Sequence, residues 1–375
     1  RGRRPSLITM SEVCLNLPFN SVSFGQLGVA LAREAYNRNL NPAIFPHGQV
    51  DLSAQGEDAG FQQWLEKRLN QTMVEFDSNN HDTSFKLWHL NPESYFRTTA
   101  KQNLLSFYEL DSPTNFELNV VKNNNITYFT SEYTVEKFKE FGASNVKYLP
   151  LFFDSFNFKQ QKDKTYYSDK RITFNLVGKF EKRKSHAEVL KAWAKKYGNK
   201  KKYYLNCAIY NPFLTPQQNQ AVIQGIFGNN QPFNVNFIGH MPTNSVYNEY
   251  LNSADIVIGM SGGEGWGLPE FQSVAMGKHS VILDCNGYKS WATPENSVLV
   301  QPSKKISAVD GVHFHENGNT NQGSIFTFEE DAFIDGCEKA LERYRNKKEN
   351  LEGLKLQEQF TVSNTFDIIL KDLQQ

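Results

Sequence analysis

The stretch IVIGMSGGEGWGLPEFQSVAMG, residues 256–277, decides the fold. It opens with a short apolar run, as a strand buried on both faces of a parallel sheet does. The glycine-rich turn SGGEGWG follows. Leu268, Pro269 and Glu270 then open a helix that Gly277 closes after Met276; proline suits the first helical turn because its missing N–H has no partner there. A strand that turns at once into a helix presents free backbone N–H groups and the positive end of the helix dipole at the carboxyl edge of the sheet. That is where α/β folds bind phosphorylated ligands, and the glycines let a ligand approach the backbone closely.

Two polar side chains sit on this unit. Glu264 lies in the loop and Gln272 one turn into the helix, so both can reach toward one ligand; a carboxylate grips sugar hydroxyls and an amide grips a ribose. A second loop of the same kind, Gly178-Lys179-Phe180-Glu181-Lys182-Arg183-Lys184, follows the apolar run 172–177 and precedes a helix. Its four cations suit a diphosphate, whose leaving oxygen gains negative charge as its bond breaks. Ser185 and Glu188 read as a capping box at the start of that helix, with Val189, Trp193 and Tyr197 as its buried face.

Working outward, short apolar runs alternate with helical periodicity along the whole chain, the pattern of an α/β fold. Strands are expected at 6–10, 85–89, 104–108, 126–129, 146–149, 172–177, 235–238, 255–260 and 281–284. Helices are expected at 25–38, 131–141 with Ser131 as N-cap, 245–253 and 329–346, and residues 301–323 read as a loop or insertion. A chain of 375 residues exceeds the size of a single core. The polar, aperiodic segment 156–170 is the expected linker between domains 1–155 and 171–356, with a last helix at about 357–375 packing back on the first domain.

Composition narrows the function classes. The 40 basic and 40 acidic residues cancel, which removes the general electrostatic case for a polyanion or an anionic membrane as partner. Residues 1–154 hold 14 Lys/Arg against 17 Asp/Glu, so the phosphate-binding bias falls in the second half. Four widely spaced cysteines without a C-x-x-C pair suggest neither a zinc site nor a disulfide framework and fit a reducing cytoplasm. No apolar run approaches a membrane span. His313 and His315 alternate in a loop without a convincing third metal ligand, and there is no D-x-D motif, so no metal is expected. The absence of G-x-G-x-x-G after the first strand argues against a dinucleotide-dependent dehydrogenase.

The segment NLVGKFEKRKSHAEVLKAW, residues 175–193, resembles the arginine-and-lysine signature of the large, mostly retaining glycosyltransferase family of GT-B fold that includes sucrose synthases (group 1, family 4-like). Residues 235–291, which contain the opening stretch, resemble the region that follows it there and ends in the E-x7-E motif. The turn Asn20 to Gly25 resembles that family's first βα loop, and residues 128–154 its approach to the interdomain linker.

The resemblance implies two Rossmann-like domains with a cleft between them. It implies transfer of a sugar from a nucleotide-diphosphate donor, UDP- or GDP-linked, with retained configuration and no resident cofactor. By it Lys179, standing for the usual arginine, and Lys184 hold the diphosphate and Glu264 contacts the donor sugar. Gly25, Gly178, Arg183, Gly263, Gly265, Trp266, Gly267 and Leu268 complete the donor site. Gln272 stands where the family has its second glutamate. A strand-end histidine of the first domain often faces the reacting centre in that family; here Glu109 occupies such a strand end and His89 closes the strand before it, so both are expected on the acceptor side. The acceptor itself is open among saccharides, lipid-linked sugars, small molecules and, as a minority reading, a modified DNA base, the one role left for nucleic acid. A nucleotide-sugar-binding protein with impaired catalysis is the alternative.

Overall fold

The computed structural model describes residues 13–75, 81–161 and 170–374. Within these ranges the chain divides into two compact units, the first drawn from residues 13–108, 113–154 and 360–374, the second from 109–112 and 155–359. The strand expected at 6–10 lies outside the described residues.

The first unit is a six-stranded parallel sheet with strands β1 (Val13–Leu17), β2 (Ala43–Pro46), β3 (Thr83–Leu87), β4 (Lys101–Ser106), β5 (Ile126–Phe129) and β6 (Val146–Tyr148). Their spatial order is β2-β1-β3-β4-β5-β6. Helices Ser23–Asn37, Ala59–Glu75, Asn115–Asn123 and Glu132–Glu140 connect them. Ser131 caps the last of these, accepting from the Thr134 N–H. The helix Val362–Leu373 also belongs to this unit, burying Phe366, Ile369 and Leu373. Arg38 meets Asp367 at 2.6 Å, and the Tyr128 hydroxyl donates to Asp372 at 2.7 Å.

The second unit repeats the plan with β7 (Ile172–Val177), β8 (Tyr203–Ala208), β9 (Val235–Phe237), β10 (Ile256–Gly259), β11 (His279–Leu283) and β12 (Val298–Val300). Their order, β12-β11-β10-β7-β8-β9, is the 3-2-1-4-5-6 arrangement of Rossmann sheets read from the other edge. Val189, Trp193 and Tyr197 of the helix His186–Tyr197 are buried in its core with Phe174, Leu205, Ile258 and Phe333.

Two local expectations are corrected. Ser185 does not form a capping box: it closes the short 3-10 turn Lys182–Lys184 in a left-handed conformation, φ +54°, and its side chain makes no cap bond. Residues 301–323 are not all loop: β13 (Lys305–Ser307) pairs antiparallel with β14 (Ser324–Phe326). The four cysteines are buried free thiols, and among the described residues no helix is long and apolar enough to cross a membrane.

Candidate functional site

β7 and β10 are hydrogen-bonded neighbours, yet the chain leaves β7 toward β8 on one side and β10 toward β11 on the other. At such a switch point the loops diverge and leave a crevice beyond the carboxyl ends of the strands. The two loops there are the ones singled out in the sequence: Gly178–Lys184 after β7 and Ser261–Gly267 after β10.

They are joined by a buried charge network. The Lys184 ammonium pairs with the Glu264 carboxylate, both side chains 7% exposed. Arg183 lies 3.1 Å from Glu264, 2.8 Å from Glu181 and 2.9 Å from Glu109, and donates to the Gly263 carbonyl at 2.7 Å. Burial disfavours the Glu264 anion, but Lys184 and Arg183 outweigh it and hold its carboxyl below the ordinary value. Glu181 is held at about 2: burial opposes ionisation, and Arg183 and Lys179 overcome it. Lys179 meets Glu181 at 2.7 Å and stays 38% exposed.

Glycine is required at two points of this frame. Gly178 has φ +115°, a backbone conformation that side-chain-bearing residues rarely adopt, and it lets Lys184 fold close over the turn, its Cε 3.2 Å from where a Cβ would sit. Gly267 caps the helix Leu268–Ala275 with φ +79°, and a Cβ on it would strike the Tyr288 ring at 2.3 Å. Beneath that cap Glu270 is buried. Burial pushes its carboxyl up to about 7, against the pull of Lys184 and with the help of Glu264.

The structure redistributes the expected roles. Of the four cations counted in the β7 loop, Lys182 donates to the carbonyls of Ser307 and Val309, both at 2.8 Å. Arg183, expected to face a donor, is instead buried among four protein acceptors and braces the two loops together. Lys179 stays partly exposed, whereas Lys184, like Arg183, is buried, paired with Glu264. Trp266 is turned into the core, 2% exposed against Phe271, because the Gly265–Gly267 turn rolls it inward; its carbonyl accepts from the Trp291 indole at 2.8 Å. Gly263 is bare because a Cβ would meet the Glu109 carbonyl at 2.7 Å, and Leu268 is half-buried at the helix start. Gln272 is nearly buried, its amide oxygen accepting from the Tyr247 hydroxyl at 3.3 Å.

In the first unit Gly25 lies inside the helix Ser23–Asn37, and Asn20 occupies the space a Cβ would need, at 2.2 Å. This glycine serves the packing of the chain's own turn. Glu109 falls in the second unit, 2.9 Å from Arg183, and His89 in the first, its ring centroid 4.4 Å from that of Phe24.

Three contributors escaped the sequence reading. Glu181 stood among the loop cations, and its alternation with them was the available signal. Tyr288, packed over Gly267, carried none. Asp111 accepts from the Ser324 N–H at 2.8 Å and pairs with Lys305 at 2.7 Å.

Compared with known proteins, the sequence matches no described family profile and no curated protein. Solved structures do match over nearly the whole chain. HepE of Anabaena, solved with UDP and glucose, superposes with a TM-score of 0.67 at 12% identity, covering 96% of this chain and 98% of that one. Sucrose-phosphate synthase of Thermosynechococcus elongatus gives 0.67 at 13% identity, with 96% and 97% covered. A UDP-forming trehalose-phosphate synthase of Burkholderia xenovorans gives 0.62 at 12% identity, with 97% and 99% covered. At these identities the likeness shows the fold, the pair of Rossmann-like domains of GT-B glycosyltransferases.

Proposed function

We propose that the chain is a glycosyltransferase that takes a sugar from a nucleotide-diphosphate donor, with UDP-glucose as the first donor to test. The observation that carries this reading is the buried Lys184–Glu264 pair at the β7/β10 switch point, with the partly exposed Lys179 beside it and the Gly267-capped helix start opposite. When the bond from the anomeric carbon to the diphosphate oxygen breaks, its electron pair passes to that oxygen. Fixed cations and a helix start stabilise that charge without reorganising. Glu264, kept ionised by its two cations, offers a carboxylate to sugar hydroxyls. The same cations supply positive charge without a metal, and the resemblance to the mostly retaining family supports retention at the anomeric carbon. The UDP complexes of HepE support the choice of nucleotide. Among acceptors, a saccharide, lipid-linked sugar or small molecule suits the acidic first half better than DNA.

The test is release of UDP from UDP-glucose without an acceptor, compared with Lys179→Ala and Glu264→Gln. Slow release by the native chain, falling at least about tenfold in each variant, is expected. Failure of every UDP- and GDP-sugar to bind or turn over sinks the reading. Gln272, held by Tyr247 where the resembling family has a glutamate, favours one alternative, a donor-binding protein with impaired transfer; tight binding without release would mark it.

A further inference from the structure

The first unit has its own switch point, between β1 and β3, because the chain leaves β1 toward β2 and returns to β3 on its other side. Ligands of open α/β sheets sit beyond the strand ends at such a point. The residues placed there come from three separate loops. His47 follows β2, and Trp88 and Glu93 follow β3, while Phe24 opens the helix after β1.

These side chains form one network. His47 Nε2 lies 3.1 Å from Glu93 Oε2, and the Trp88 indole donates to the same oxygen at 2.6 Å. The His47 and Trp88 ring centroids lie 3.9 Å apart with the planes tilted by 44°, and Phe24 packs on Trp88 at 5.8 Å and on Phe107 at 4.3 Å. Because Glu93 accepts at Nε2, neutral His47 carries its proton there and leaves Nδ1 as an acceptor. His47 Nδ1 and Glu93 Oε1 have no hydrogen-bond partner among the described residues, and the Glu93 side chain is 58% exposed. Two acceptor atoms thus remain on one bonded pair of side chains, beside the Trp88 ring.

Charge decides which donors fit. The buried Lys86 ammonium bonds the carbonyls of Glu93 at 2.7 Å and of Phe96 at 3.1 Å, beneath the loop that carries the Glu93 carboxylate. The site is therefore close to neutral, which disfavours a cation and favours hydroxyl donors. Hydroxyls beside ring faces are the chemistry of a saccharide, whose C–H faces pack on aromatics while its O–H groups donate.

We propose that His47, Trp88 and Glu93 bind a neutral saccharide, and that this is the acceptor of the transfer reaction; the second clause rests on the donor reading above. His47→Gln is the informative variant, since a glutamine amide reproduces Nε2 and its bond to Glu93 but removes the Nδ1 acceptor. Glu93→Gln tests the exposed partner should the first variant fold poorly, with melting curves as the control for fold.

The experiment is a printed array of neutral mono- to tetrasaccharides probed with the labelled full chain, followed by calorimetry on the strongest hit. Binding by the native chain, weakened about tenfold or more in both variants, is expected. No neutral saccharide bound, binding to charged glycans only, or unchanged affinity in both variants each overturns the site. Release of UDP from UDP-glucose by the native chain is measured in parallel. If that fails while saccharide binding is lost in the variants, the site stands and the donor reading falls.

Discussion

The guanidinium of Arg183 lies 3.1 Å from the carboxylate of Glu264, and both side chains are buried. That contact ties the loop after β7 to the loop after β10, so a residue resembling a donor ligand also holds the fold together. Removing one member of a buried ion network strands the others, which typically costs about 3–5 kcal/mol. Glu264→Ala is thus expected to lower stability by that order in urea unfolding as well as to abolish turnover. Glu264→Gln keeps the shape and removes the charge, and it should lose activity with a smaller loss of stability.

Lys179 offers the cleaner test of diphosphate binding. Its side chain is partly exposed, and its partner Glu181 keeps Arg183 at 2.8 Å when the lysine is gone. Lys179→Ala should shift the melting midpoint little, since exposed pairs contribute about 0–1 kcal/mol. Donor affinity by calorimetry should fall about tenfold, and Lys179→Arg should restore it.

Glu270 sets a pH dependence. Its carboxyl is raised to about 7 in the folded chain from an ordinary 4.5. Below 4.5 it is protonated folded and unfolded alike and contributes nothing. Between 4.5 and 7 the folded state holds the proton that the unfolded state has lost, so stability falls as pH rises, and above 7 the cost is constant. Glu270→Gln should therefore be more stable than the native chain at pH 8, by an amount on the order of a few kcal/mol. The gain should vanish near pH 4, as paired denaturation curves will check.

Gly267→Ala should damage the cap of the helix Leu268–Ala275. A left-handed φ costs a side-chain-bearing residue about 1–2 kcal/mol, and the overlap with the Tyr288 ring adds a packing strain of about 1–3 kcal/mol. Chemical denaturation will show a loss of roughly 2–5 kcal/mol, whereas Gly225→Ala, with open space around its Cβ, should be tolerated.

The sequence by itself determined the alternation of strands and helices, the two phosphate-type loops, and the strand–turn–helix unit at 256–277. Apolar periodicity, glycine and proline act through neighbours a few residues apart, so these signals are local. The resemblance of residues 175–193 and 235–291 to the glycosyltransferase family also marked Lys179, Lys184 and Glu264. The tertiary structure alone decided which cations are taken up inside the protein: Lys182, Arg183 and Lys184 meet acceptors far along the chain, Ser307, Val309, Glu109 and Glu264. It likewise decided that Trp266 turns inward, that Ser185 closes a turn instead of capping a helix, and that His47 and Glu93 meet. Each of these depends on packing between segments whose separation in sequence carries no periodic trace.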